Sequence, residues 1–487
     1  MEHVLVIGAG VAGLGAALAF HAKGFKVTVL DRDEPLPDDL QAAESWDWKR
    51  GAAPQVRQPH FLMGRLRNLL HDRYPGLVQD LLDAGVWEMS FADTIHPYAK
   101  DSYEPKPGDR DMTPLCSRRT TFEMVMRRYI ENSGVADLRA GCKVDELVLD
   151  TSSKPYRVTG CQVTCGDESD TIAADVVIDT SGRGSNLVSK LQDCGVDISE
   201  EHHKSETIYN TRHYRLREGQ KFPDLMGLPA VDFPDFTLGA LPADNGTLTV
   251  TLAVWRDDPV LSKYAKNVDF FEAFCASVPK VRDWADPARV EPVSNIISFA
   301  NMDYLWRNVV TQDGPQVLNY FLAGDSAIRT NPKFGRGCTW GTVSVHKLAD
   351  ILAEHMDPAG RIVQYEQMLR DEFRSDWETM YALEQGTRAK FKAMLSGEKK
   401  SLKLKMTSAI ENHVMNVAML AEPRVQRAIM RGYHGLDEMS AWTRDPRVWF
   451  DVARAARPSR KLNELRRTNA ARPSRSQFEA MAQSRAS

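Results

Sequence analysis

The sequence predicts an α/β fold built on a parallel sheet, with an inserted, mainly antiparallel β portion and a helical C-terminal region. Three observations support this. At the start, an apolar, β-branched run from His3 to Ile7 meets Gly8-Ala-Gly10-Val-Ala-Gly13 where strand should become helix. Two later buried strands, Ala174 to Asp179 and Val317 to Asp325, also end on an acid beside glycine. Between those two, residues 205 to 300 read as mainly β, and the last third of the chain is helical and charged.

In the first unit each residue type has a task. Gly8 permits a tight turn, Gly10 lets backbone approach a pyrophosphate, and Gly13 lets helix pack on strand. A helix to about Lys23 stops at Gly24, and the strand from Lys26 to Leu30 delivers Asp31 as an acceptor for ribose hydroxyls. The near-absence of charge from His3 to Phe20 also fits a secretory signal or membrane helix. The missing basic n-region and the glycines weigh against that alternative. The motif alone leaves FAD and NAD both open.

Composition bounds the rest. With 487 residues there is room for two or three domains, and 43% hydrophobic with 26% charged residues is ordinary for a globular protein. A net charge of −4 gives no reason to expect nucleic acid as a partner. Seven cysteines without a framework read as reduced thiols in a cytoplasmic setting. Cys161 and Cys165 read as ordinary strand residues, and no metal site is expected.

After Asp31, Arg32 either reaches an adenosine phosphate or is solvated. Residues 40 to 62 (Trp46, Trp48, Gln55, Arg57, His60) form an irregular, aromatic loop suited to touching ligand. A helix is expected from Met63 to about Leu82. Another opens near Ser117-Arg118-Arg119, with Ser117 or Thr120 as cap and Glu123 closing a capping box. Runs from Val144 to Ile178 form a small sheet and a return strand to Asp179, followed by Thr180-Ser181-Gly182-Arg183-Gly184. The strands Thr207–Tyr214, Phe236–Leu241 and Gly246–Trp255, with a helix from Phe270 to Val278, make a wall for a substrate cavity. Gly324-Asp325 then leads through Asn331-Pro332-Lys-Phe-Gly335-Arg-Gly337 into an amphipathic helix to about His355. Near the end, Lys399 to Lys405 is a basic cluster, and Arg457-Pro-Ser-Arg460 recurs as Arg472-Pro-Ser-Arg475 in a loosely ordered tail. A weak membrane-surface contact is the alternative to plain solvation of these charges.

Taken together, over residues 1 to 355, these stations resemble the FAD-dependent monooxygenases of the p-hydroxybenzoate hydroxylase superfamily, above all the bacterial squalene-epoxidase-like branch with the polyether epoxidases. The resemblance implies an FAD-binding Rossmann-like domain of glutathione-reductase type at 1–200 and 301–355, a substrate-binding β domain at 201–300, and a helical C-terminal region at 356–487. It implies that Gly8, Gly10, Gly13 and Asp31 hold the ADP half, with Arg32 beside it. Arg119, in Arg-x-x-Phe-Glu123, contacts FAD; Asp179 and Gly182 lie by the pyrophosphate; Asp325 holds the ribityl chain. Pro332, Gly335 and Gly337 lie along the isoalloxazine. Arg57, His60, Tyr209 and Arg212 are the candidates for the catalytic cavity.

Three departures from the family pattern stand out: Thr180-Ser181-Gly182 in the middle signature, Arg336 where glutamine is common, and Ala327-Ile328-Arg329 where Ala-His-Pro is common. The implied activity is epoxidation or hydroxylation of an apolar or aromatic molecule through a flavin C4a-hydroperoxide, using molecular oxygen. NADPH, NADH or a flavin reductase would supply electrons. A prenyl-reductase-like dehydrogenase on the same fold is the alternative, and a partner-binding protein retaining the nucleotide fold is a further one. A halogenase is disfavoured because Trp46-Asp-Trp48-Lys-Arg lacks the Ile-Pro ending of that motif.

Overall fold

In this computed structural model the residues described are 1–225, 230–354, 357–397, 402–469 and 471–484. His355 and the Lys399–Lys400 part of the basic cluster lie outside them. Strand β1 (His3–Ile7), helix α1 (Val11–Ala22) and strand β2 (Lys26–Leu30) open the chain as a βαβ unit with β1 and β2 parallel. With Asp137–Arg139 (β3), Val176–Asp179 (β4) and Tyr320–Leu322 (β5) they form a parallel sheet of order β5-β4-β1-β2-β3. The central strands β1, β4 and β5 are buried, apolar runs because helices cover the sheet, while the edge strand β3 is Asp-Leu-Arg with exposed ends.

Helix α1 lies against the helix Gly337–Ala353 (α6). The approach is close because a Cβ on Gly341 would stand 3.0 Å from the Cβ of Ala12, and one on Gly15 3.4 Å from Thr342.

The single helix expected from Met63 to Leu82 is two, Gly64–Arg73 (α2) and Pro75–Asp83 (α3). Pro75 disfavours helical backbone at the residue before it, and Tyr74 leaves the helix there. The strand expected from Val317 also divides. Val317–Leu318 pairs with Tyr156–Cys165, while Tyr320–Leu322 joins the parallel sheet, and Asn319 between them takes a left-handed φ of 62°.

The antiparallel portion is a sheet in the order Ala230–Asp232, Phe236–Pro242, Thr247–Trp255, Thr207–Leu216, Val290–Pro292, with Ile297–Phe299 also on the Thr207–Leu216 strand (β6). One face of this sheet packs on helix Val268–Ser277 (α5), which Asn267 caps at Phe270 N. The helices after 357 include Ser375–Leu395 (α7) and Leu402–His413 (α8).

Two expectations fail. Cys142 and Cys165, opposite each other on paired strands with Cα atoms 4.1 Å apart, form a disulfide, so the thiols are not all reduced. That removes the cysteine argument for a cytoplasmic setting. The basic tail is not loose either. Arg472 pairs with buried Asp235, Arg475 bonds both oxygens of buried Asp258 (2.6 and 2.7 Å), and Phe478 fills an aromatic cluster with Phe236 and Phe274. Partners more than 200 positions away in sequence hold the tail down, and no local pattern announces them. Among the described residues no helix is long and apolar enough to cross a membrane.

Candidate functional site

The glycine loop between β1 and α1 is tightly constrained. Gly8 has φ +96°, and a Cβ on Gly13 would fall 1.8 Å from Gly8 O. Gly10 precedes α1 and no side chain caps that end, so the first N–H groups are free for an anion. A Cβ on Gly10 would lie 3.5 Å from Nη2 of Arg119, which places that guanidinium over the loop. Arg119 opens helix Arg119–Ser133 (α4). Its Nε donates to Glu123 Oε1 at 2.6 Å, and its Nη1 lies 3.4 Å from His60 Nε2. The expected capping box is absent: Arg118 occupies the cap position without a side-chain bond. Glu123 instead carries two arginines. Burial opposes its charge, but Arg119 and Arg50 outweigh that and hold its pKa down to about 2.

Arg50 and Arg127 were not anticipated from sequence. Arg50 Nη1 donates to Asp31 Oδ2 (2.9 Å) and Asp33 Oδ2 (2.6 Å), its Nε to Glu123 Oε2 (3.1 Å), and its Nη2 to Ala9 O (3.2 Å). Arg127 also pairs with Asp31 and donates to Ala9 O at 2.9 Å. The Trp48 ring covers both guanidinium groups, at 5.0 and 5.2 Å. Asp31 is therefore more than a ribose acceptor. Its Oδ2 takes the two arginines, while Oδ1 accepts the Asp33 N–H at 3.1 Å and keeps acceptor capacity. Arg32 is exposed, with Nη2 3.8 Å from where a Cβ on Gly184 would sit. An uncapped helix end, a guanidinium over Gly10 and a carboxylate oxygen at the end of β2 form a donor and acceptor set that fits a dinucleotide.

The other two acids behave differently from each other. Asp179 is fully buried, accepts Ser181 N (2.9 Å), Ser185 Oγ (2.8 Å) and Tyr320 OH (2.8 Å), and braces the Thr180–Ser185 turn. Gly182 in that turn has φ +75°, and Thr180 Oγ1 donates to Gly8 O at 2.8 Å, tying the turn to the glycine loop. Asp325 is the more open acid. Its Oδ2 accepts Arg183 Nε at 3.1 Å, and its Oδ1 lies 3.6 Å from where a Cβ on Gly337 would stand. Pro332 begins a turn capped by Asn331, Gly335 closes it at φ +64°, and Gly337 starts α6. Arg336, in the glutamine position, turns inward and donates to Gly432 O at 2.6 Å.

A small hollow lies between the 46–60 loop, the start of α4 and the antiparallel sheet; Trp46, Val56, His60, His213, Leu241 and Pro242 are among its lining residues. Strand β6 sets which side chains face this way. Tyr209, Thr211 and His213 share one face: Thr211 Oγ1 bonds Gln58 Oε1 at 2.8 Å, and His213 lies 4.3 Å from the Trp46 ring. Arg212 points to the opposite face, where it pairs with Glu272 on α5 and lies over Tyr214. The structure thus separates Arg212 from the other three candidates, and the period-two pattern of this strand already contained that outcome. Arg57 stands over Trp46 at 5.1 Å. Tyr209 meets Asn331 at the far end of the face.

Both histidines on the hollow are neutral. Burial, then the charge of Arg119, lowers the His60 pKa to about 3, and burial lowers that of His213 to about 4. His60 Nδ1 must donate to Gln58 O at 2.8 Å, which leaves Nε2 as an acceptor. Arg118, also on the hollow, is neutralised by Asp244 through both carboxylate oxygens.

Residues 3–94 match the family described as FAD dependent oxidoreductase. Protein Rv3254 of Mycobacterium tuberculosis is 26% identical over 352 residues, covering 69% of this chain and 70% of that protein. Among solved structures, the flavin-dependent halogenase CmlS has a TM-score of 0.56 at 20% identity over 77% of this chain, which spans 62% of CmlS. PqsL, a probable FAD-dependent monooxygenase from Pseudomonas aeruginosa, has a TM-score of 0.58 at 13% identity over 81% of this chain and 99% of its own. At those identities the likeness is one of fold. The parallel sheet, the glycine cradle and the match over residues 3–94 are together those of an FAD-dependent oxidoreductase.

Proposed function

We propose that this enzyme is an FAD-dependent monooxygenase that epoxidises or hydroxylates a small, largely apolar or aromatic molecule in the hollow beside His60. The observation that carries the reading is a mainly apolar hollow whose lining cation, Arg118, is paired with Asp244, and one wall of which (His60) touches the arginine set over the glycine loop. Its lining is mainly apolar and uncharged polar side chains, which suits an apolar or aromatic ligand.

In this reading the N-terminus of α1 and Arg119 hold the pyrophosphate, Asp31 Oδ1 the ribose, and Asp325 the ribityl chain. The Pro332–Gly337 loop supports the ring system. FAD held by these residues would supply, once reduced, the chemistry that activates molecular oxygen. The chain's own residues orient and shield. Trp46 and Leu241 pack the substrate, while neutral His60, its Nδ1 held by Gln58 O and its Nε2 facing Arg119, forms a wall that adds no charge. The domain division is proposed to follow the sheets, with the antiparallel portion as the substrate side. The exposed residues Leu402, Met406 and Ile410, four apart on α8 near the lysine cluster, are where a weak contact with an anionic lipid surface would form.

Two measurements on purified holoenzyme test the reading. Anaerobic titration with NADPH or NADH bleaches the flavin if the enzyme is self-sufficient; with neither effective, a separate reductase is the donor. Turnover should consume one oxygen molecule per product, whereas oxygen-independent turnover supports the dehydrogenase alternative. A product that gains bromine or chlorine in halide buffer would move the enzyme to halogenase chemistry. The absence of Ile-Pro after Trp46-Asp-Trp48-Lys argues against that outcome.

A further inference from the structure

We propose that Glu384, on α7 of the helical C-terminal region, is the positioning residue for the Asn331–Gly337 loop, so that the flavin site is completed from the helical C-terminal region. The inference rests on the reading that this loop supports the flavin ring.

Glu384 is 7% exposed, and three neutral donors serve it: Ser205 Oγ to Oε1 at 2.6 Å, Tyr304 OH to Oε2 at 2.9 Å, and Asn331 Nδ2 to Oε2 at 2.7 Å. A buried carboxylate served by hydroxyls and an amide is costly unless each bond is kept, so the network is geometrically strict. The carboxylate can only accept. It therefore fixes Asn331 with Nδ2 toward α7 and Oδ1 toward the Lys333 N–H at 2.9 Å and the Tyr209 hydroxyl. In that orientation Asn331 caps the Pro332–Phe334 turn, which delivers Gly335 in the left-handed region and Gly337 at the start of α6. Ser205 Oγ also accepts from Asn331 Nδ2 at 3.3 Å, closing the ring of bonds. One carboxylate thus links the substrate-side strand through Tyr209, the loop through Asn331, and α7. It also keeps a negative charge beside the loop, which disfavours electron gain by a flavin lying there.

The test is Glu384→Gln in the full-length flavoenzyme, read by FAD release and by spectroelectrochemical midpoint potential, neither of which requires turnover. Failure here is therefore separable from failure of the oxygenation reading. The expected result is FAD release faster by roughly tenfold or more, the scale of one lost charge-assisted hydrogen bond, with a midpoint potential moved to more positive values. A folded variant with parental FAD release and potential, and only a lower melting temperature, overturns the proposal. If Glu384→Gln does not fold, Ser205→Ala removes one donor and should speed FAD release by a smaller factor. Parental release in that variant overturns it equally.

Discussion

Arg119 and Gly13 carry the clearest residue-level consequences. Arg119→Ala removes the guanidinium over Gly10 and leaves buried Glu123 with one fewer cation. FAD affinity should fall by about 1.5–3 kcal/mol, the range for a hydrogen bond to a charged group, read by titrating apoprotein with FAD. Lysine at this site should recover little, because Arg119 meets Glu123 and His60 through separate nitrogens. Gly13→Ala puts a methyl into Gly8 O and should abolish flavin retention altogether. On β6, neighbours should behave as opposites. His213→Ala enlarges the hollow and should change KM and product pattern, while Arg212→Ala strands Glu272 on the other face and should change stability alone.

At the scale of elements, the C-terminal segment is a structural strap. Phe478→Ala should cost about 3–5 kcal/mol, as for large aromatic truncation in a core, visible as a lower urea midpoint. Arg475→Ala should cost about 1–3 kcal/mol, below the fully buried range because Arg475 is 21% exposed while Asp258 is not exposed at all. These contacts also show what the sequence could and could not convey. Gly8, Gly10, Gly13 and the strand pair around them follow from local pattern, because each acts within about twenty residues. Arg50 reaches Glu123 across 73 residues, Glu384 reaches Asn331 and Ser205 across 53 and 179, and the strap acts across more than 200, and nothing in their neighbourhoods marks these partners. Glu123 illustrates the point: its spacing fits a capping box, yet a distant arginine claims the carboxylate. His213 lay within reach of sequence reasoning, since it shares the alternation of Tyr209 and Thr211.

For the whole molecule, the buried histidines set the pH response. Burial lowers His60 and His434 to about 3, and His213 and His346 to about 4, from an ordinary 6.5. Below 6.5 the unfolded chain takes up protons that the folded chain refuses, so stability rises with pH across that window and falls on acidification from 6.5 to about 4. Glu123 works in the same direction lower down. Its stabilisation is present above its ordinary 4.5 and is lost as pH falls toward 2. Calorimetric melting temperatures should therefore drop progressively below pH 6.5, and a flat profile from 7 to 4.5 would refute the neutral-histidine assignment. The central claim is that the hollow beside His60 receives a molecule that gains one oxygen atom from O₂. Its most direct test is turnover of candidate apolar and aromatic substrates under ¹⁸O₂, followed by mass spectrometry of the product. The account predicts one labelled oxygen atom per product molecule. Product formed without label, or formed equally well without oxygen, would contradict it.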